Sequence, residues 1–141
     1  MEIIIQTVRD AVSIKNGFFE EEDNVFAYTR EFHCLPFTCY LQVNEALHLI
    51  QYRAYFTFTL RGEDEVRFRE YIQQVNYRCP VGSFAYSREK DEFRYKNALA
   101  FGSERPTRNA IDTLIDISEA ALDEDILGLI RAHNGEPVEN A

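Results

Sequence analysis

A chain of 141 residues with 45% hydrophobic, 13% aromatic and 28% charged side chains reads as one globular domain, large enough to close a core without a metal or disulfide staples. Its formal net charge of −9 opposes nonspecific attachment to nucleic acid or anionic lipid, both of which depend on Lys and Arg, and leaves basic partners electrostatically easier. The opening residues Met1–Gln6 carry an acid where a secretory leader has bases, and no run approaches the roughly 20 apolar residues of a membrane span, so the expectation is a cytoplasmic protein without membrane or nucleic-acid partners.

No repeat or low-complexity tract interrupts the chain, and a single domain is expected over residues 1–135, followed by a short polar tail at 136–141. At the start, Ile4, Val8, Ala11 and Val12 recur at helical spacing over Glu2 to Ile14, with Asn16-Gly17 as the stop. A helix is expected there, although the β-branched run Ile3-Ile4-Ile5 also suits a strand. Glu20 to Asn24 reads as an acidic turn. Three antiparallel strands follow, Val25 to Phe32, Phe37 to Val43 and Ala46 to Leu60, parted at Leu35-Pro36 and Asn44-Glu45. Alternation on the second places Cys39 in the core. The third is apolar on both sides, with Tyr52, Phe56 and Phe58 on one and Leu47, Leu49 and Tyr55 on the other.

Phe68, Tyr71, Ile72 and Val75 then fall at i, i+3, i+4 and i+7, which predicts a helix from about Glu63 to Tyr77 with one buried stripe. Pro80 and Gly82 stop it. Ser83 to Ser87 and Glu92 to Phe101 read as a hairpin joined across Arg88 to Asp91. In its second strand Phe93, Tyr95, Leu99 and Phe101 alternate with Arg94, Lys96, Ala98 and Ala100, and Asn97 breaks the apolar face. The closing helix starts at Ser103 or Thr107 as N-cap, carries Ile111, Leu114, Ile115, Ser118 and Leu122, bends or restarts at Asp123 to Asp125, and ends near His133 to Gly135. The order α-β-β-β-α-β-β-α, with antiparallel strands and no strict alternation, defines an α+β fold.

This order, together with Asn76, Gly82, Phe84, Arg94 and the acidic helix Ile111 to Ile130, resembles the YbjN family of bacterial proteins, described as candidate sensory transduction regulators. The likeness is strongest over Glu63 to Arg131. It implies a fold like the type III secretion chaperones, which pair as dimers and bind extended segments of other proteins. It implies no catalytic residue and no cofactor. The residues themselves give Asn76 and Gly82 structural roles, as a helix cap and a tight turn.

Little catalytic chemistry stands out. His33, Cys34 and Cys39 are soft-metal ligands, but neighbours on a strand point to opposite faces, so no metal site is expected. The three cysteines lack a CxxC spacing and read as reduced, mostly buried thiols; Cys39 or Cys79 as a nucleophile would need a base such as His48 beside it. Asp112, Asp116 and Glu119 share one helix face, which is the usual solvated side of an amphipathic helix. Arg88, Lys90, Arg94 and Lys96 interleave with Tyr86, Phe93 and Tyr95, an anion-patch pattern that the net charge opposes.

The functional feature is the aromatic third strand, with Tyr52, Tyr55, Phe56 and Phe58 as the candidate surface. It is a buried central strand, the seam of a homodimer, or a groove that takes a partner's peptide by strand addition or in apolar pockets. The expected function is a non-enzymatic protein-binding module, dimeric and chaperone-like or regulatory. The alternative is a small-molecule sensor with a pocket between sheet and helix, using Arg94 or Tyr95 for polar contacts.

Overall fold

The computed structural model describes residues 2 to 133; the polar tail and the expected stop at His133 to Gly135 extend beyond the described residues. Three helices, α1 (Glu2–Asn16), α2 (Gly62–Arg78) and α3 (Arg108–His133), pack on one face of a six-stranded antiparallel sheet of β1 (Glu20–Glu22), β2 (Val25–Phe32), β3 (Leu35–Asn44), β4 (Leu49–Thr57), β5 (Ser83–Ser87) and β6 (Glu92–Ala100). The spatial order is β1-β2-β3-β4-β6-β5, so the α2-β5 segment carries the chain past the position that β6 fills beside β4.

The four apolar positions of α2, Phe68, Tyr71, Ile72 and Val75, are all buried. So are Ile4, Ile5, Val8, Ala11 and Val12 of α1, which is a helix rather than a strand. It ends on Gly17, whose φ of +64° lets its N–H reach back to the Ser13 carbonyl. Thr107 is the N-cap of α3: its Oγ1 accepts the Ala110 N–H at 3.0 Å. No restart divides α3 at Asp123 to Asp125; the helix runs through, because Leu122, Ile126 and Leu129 keep one buried stripe across the acidic stretch.

Three differences from the sequence reading concern turns. Glu20 to Glu22 is a short strand on β2 rather than an acidic turn, joined by Asp23-Asn24 with both φ positive, the twist a two-residue hairpin requires. His33-Cys34 forms the equivalent turn between β2 and β3, so Leu35-Pro36 is not the break but the beginning of β3, where a proline at a strand's first residues is tolerated. The third strand is shorter than expected: Leu47 sits exposed in the turn before it and Phe58 to Leu60 lie beyond it.

Asn97, the break in the apolar face of β6, donates from Nδ2 to Ser118 Oγ of α3 at 3.2 Å, and Ser118 is fully buried. Each polar group answers the other, so neither costs an unpaired desolvated atom. The aromatic content is concentrated in the layer between sheet and α2, where Phe68 meets Phe58, Tyr86 and Phe93 at centroid distances of 5.4 to 6.0 Å. Tyr86 locks the exit of β4: its hydroxyl accepts the Leu60 N–H at 2.9 Å and donates to the Phe58 carbonyl at 3.1 Å.

Candidate functional site

The aromatic strand splits the expected surface in two. Ile50, Tyr52 and Ala54 point to the helices and are fully buried, while Gln51, Arg53 and Tyr55 point away. Tyr52 therefore shares no surface with Tyr55: its ring lies 6.3 Å from that of Tyr95 and its hydroxyl donates to Cys39 Sγ at 3.6 Å. Burial raises its pKa. β4 is also paired on both sides, with β3 and with β6, so it has no free edge to which a partner strand could be added. Of the ways in which this strand was expected to meet a peptide, apolar pockets remain.

Phe56 and Phe58 form such a pocket. At the end of β4 the helical layer leaves a groove of about 330 Å³ between sheet and helices, walled by Leu35, Phe56, Phe58, Phe68 and Phe93 and by Ile126, Leu129 and Ile130 of α3. Phe56 packs on Phe37 at 5.4 Å, which fixes the floor. One side is set by the β2-β3 turn, whose His33 Nε2 donates to the Asp123 carbonyl of α3 at 2.8 Å. Every lining side chain is hydrocarbon, so the groove supplies contact area and no directional polar group.

The other candidate residues are not gathered there. Arg94 and Tyr95 are neighbours on β6 and face opposite sides; Tyr95 is fully buried, with its pKa pushed up to about 12 by burial, and neither lines the groove. The same alternation separates Arg94 and Lys96 from Tyr86, Phe93 and Tyr95, so the basic and aromatic residues of the hairpin do not form one patch. His33 and Cys34 occupy a turn and Cys39 the core beneath β3; among the described residues no three His, Cys, Asp or Glu side chains converge as a metal site would require. Only Cys39 is a buried thiol, its pKa pushed up to about 12 by burial, whereas Cys34 is exposed and Cys79 half-buried. His48, the suggested base, stacks on Phe101 and hydrogen-bonds the Gly102 carbonyl instead. Of the three carboxylates expected on the solvated face of α3, Asp116 is exposed and pairs with Lys15 of α1, Asp112 is half-buried and pairs with Arg108, and Glu119 is turned toward the sheet, where it meets Arg30 of β2 at 3.5 Å.

The three residues of the family pattern hold the outer hairpin. Asn76 does not cap α2, which continues to Arg78; its side chain reaches sideways to the outermost strand β5, accepting the Phe84 N–H and donating to the Phe84 carbonyl, both at 2.8 Å. That pair of bonds occupies backbone groups which β6 does not use, closing part of this sheet edge against an added strand. Gly82, at φ +72°, lies where a Cβ would come within 2.2 Å of Tyr95 Oη and 2.8 Å of the Lys96 carbonyl oxygen. Phe84 stacks on Phe93 at 5.6 Å.

No family model matches the chain, and no curated protein matches it in sequence. A search of solved structures finds the crystal structure of YbjN from E. coli, described as a candidate transcription regulator, with a TM-score of 0.70, 15% identity, and coverage of 92% of this chain and 93% of that one. The fold is therefore YbjN-like α+β over nearly its whole length, as the order of elements and the pattern at Asn76, Gly82 and Phe84 implied. Among the described residues no helix is long and apolar enough to cross a membrane.

Proposed function

We propose that this chain is a non-enzymatic, cytoplasmic regulatory module, chaperone-like in action, that binds another protein by receiving apolar side chains of an extended segment in the groove at Phe56 and Phe58. The groove carries this reading. Its walls belong to five separate stretches of the chain, yet the layer above them leaves about 330 Å³ open. Small-molecule recognition fixes orientation with a few convergent polar groups, and this lining offers none, whereas Leu, Ile or Phe side chains of a peptide need only the area. The regulatory character is carried over from the description of YbjN, which shares the fold. Pairing of two copies through the same groove is the homodimeric form of the proposal.

A photoreactive phenylalanine analogue placed at Phe56 in the full chain, expressed in its host, tests the assignment. The expected result is cross-linking to one partner through a segment with apolar side chains, and none from the same analogue at the exposed Tyr77. Equal cross-linking from both positions, or none from Phe56, contradicts it. A second reading, an apolar small molecule in the same groove, has one observation in its favour: the volume lies at the lower end of the roughly 300–1,000 Å³ range of ligand pockets. Arg94 and Tyr95 take no part in either reading.

A further inference from the structure

On the face of the sheet away from the helices, the part formed by β4 and β6 gathers cations in a chain that is acidic as a whole. Nine Lys and Arg side chains hold carboxylates in ion pairs. Of the rest, Arg53, Lys90, Arg94 and Lys96 all belong to this face or its rim, in a chain of net charge −9. Strand register makes the concentration unusual. Arg53 on β4 lies directly across from Lys96 on β6, and Arg94 is opposite Tyr55. Like charges directly opposed on neighbouring strands destabilise a sheet, and among the described residues no carboxylate forms an ion pair with Arg53 or Lys96.

The arrangement around Arg53 is partly set. Its guanidinium lies over the Tyr40 ring at 5.7 Å, and Nη2 donates to Gln42 Oε1 at 2.8 Å. Its Nε–H is shielded from solvent without an acceptor. Tyr40 and Tyr55 meet edge to face at 5.7 Å and floor a hollow of about 700 Å³ that Arg53, Lys90 and, at one end, Glu92 flank.

From this charge pattern we propose that the open sheet face binds an acidic, extended segment of a partner protein, its carboxylates set between Arg53, Lys96 and Arg94 and its backbone lying over Tyr40 and Tyr55. Two things favour carboxylates on a peptide over the phosphates of a nucleic acid. The cationic patch is small, and Glu20, Glu22 and Glu31 occupy the β1-β2 side of the same face while Glu92 begins β6. A phosphate backbone, with a charge at every nucleotide, would run beyond the patch into those acids, whereas a short acidic segment ends within it. The hollow and the groove lie on opposite faces of the sheet and share only Phe56 among their lining residues, and Arg53, Arg94 and Lys96 line no part of the groove, so either proposal can fail without the other.

Fluorescence anisotropy with a labelled peptide of about ten alternating Glu and Ala residues, about 33 Å when extended, tests the inference on the full chain at low salt. The expected result is saturable binding that weakens with added salt and falls about two- to fivefold in Lys96→Gln and again in Arg53→Gln, the scale of exposed ion pairs. Lys96→Gln should at the same time raise the melting temperature of the free protein, because it removes a like-charge opposition. Three results would overturn the proposal: no binding of the Glu-Ala peptide, equal binding of a Gln-Ala peptide, or tight binding of an oligothymidylate in its place. Cross-linking from Phe56 should be unchanged in Lys96→Gln, which keeps the two surfaces distinguishable.

Discussion

Tyr52 and Tyr55 stand three residues apart on the same strand and lie in different environments. The first is sealed in the core with its hydroxyl on a buried thiol; the second lies on the open face beside Tyr40, with Arg94 across from it. One strand thus supplies both the most enclosed part of the core and the middle of a surface. The lesson is that two-sided hydrophobicity need not mean two buried faces. Here it marks a central strand whose far side keeps large rings and unpaired cations.

Removing the two rings in turn separates the faces most strongly. Tyr52→Ala leaves a cavity in a closed layer and should cost about 3–5 kcal/mol in urea unfolding, whereas Tyr55→Ala loses an edge-to-face contact and should cost about 1 kcal/mol. Equal costs would erase the distinction. The next effect concerns the hairpin that flanks β4. Gly82→Ala forces a Cβ into the Tyr95 hydroxyl and the Lys96 carbonyl at a left-handed φ, and should cost about 2–4 kcal/mol by the same measurement. Asn76→Ala leaves the Phe84 N–H and carbonyl to water at a sheet edge, for about 1–2 kcal/mol, and should speed hydrogen exchange at Phe84.

The smallest effect depends on pH. Burial raises the Glu119 carboxyl, with Arg30 and Lys15 pulling the other way, and its Oε2 is buried without a hydrogen-bond partner. A carboxyl whose folded pKa exceeds its unfolded one binds its proton more tightly when folded. It therefore favours folding at low pH, and that contribution declines as pH rises from the ordinary carboxyl value of 4.5 through the raised folded value. Glu119→Gln should flatten this part of the curve of stability against pH, read from urea midpoints; an unchanged slope would contradict the burial of this group as described.

Much of the fold was legible because helical and strand periods are local. The stripe of α2 and the alternation of β6 named their buried residues directly, and Asn97 was marked as a break before Ser118 explained it. Turns were harder: His33 and Cys34 are not residues that announce positive φ, so the break was read at the proline that follows. Three glutamates in a row gave no sign of β1. The site was half legible. Phe56 and Phe58 stood out for their aromatic character, but Leu35, Ile126, Leu129 and Ile130 join them only after folding, and no periodicity links positions so far apart. Arg53 was overlooked because its significance lies in the register between β4 and β6, which brings it opposite Lys96. Asn76 was read as a cap because its partner, Phe84, lies on another element.

Whether the groove is where a partner is received is tested most directly by hydrogen exchange read by mass spectrometry on the chain alone and in complex with the cross-linked partner. Slower exchange in the peptides that contain Phe56 to Leu60 and Ile126 to Ile130, with the outer strand Ser83 to Ser87 unchanged, is the predicted result. Protection confined to that outer strand, or to the exposed sides of the helices, with the groove segments unaltered, would contradict it.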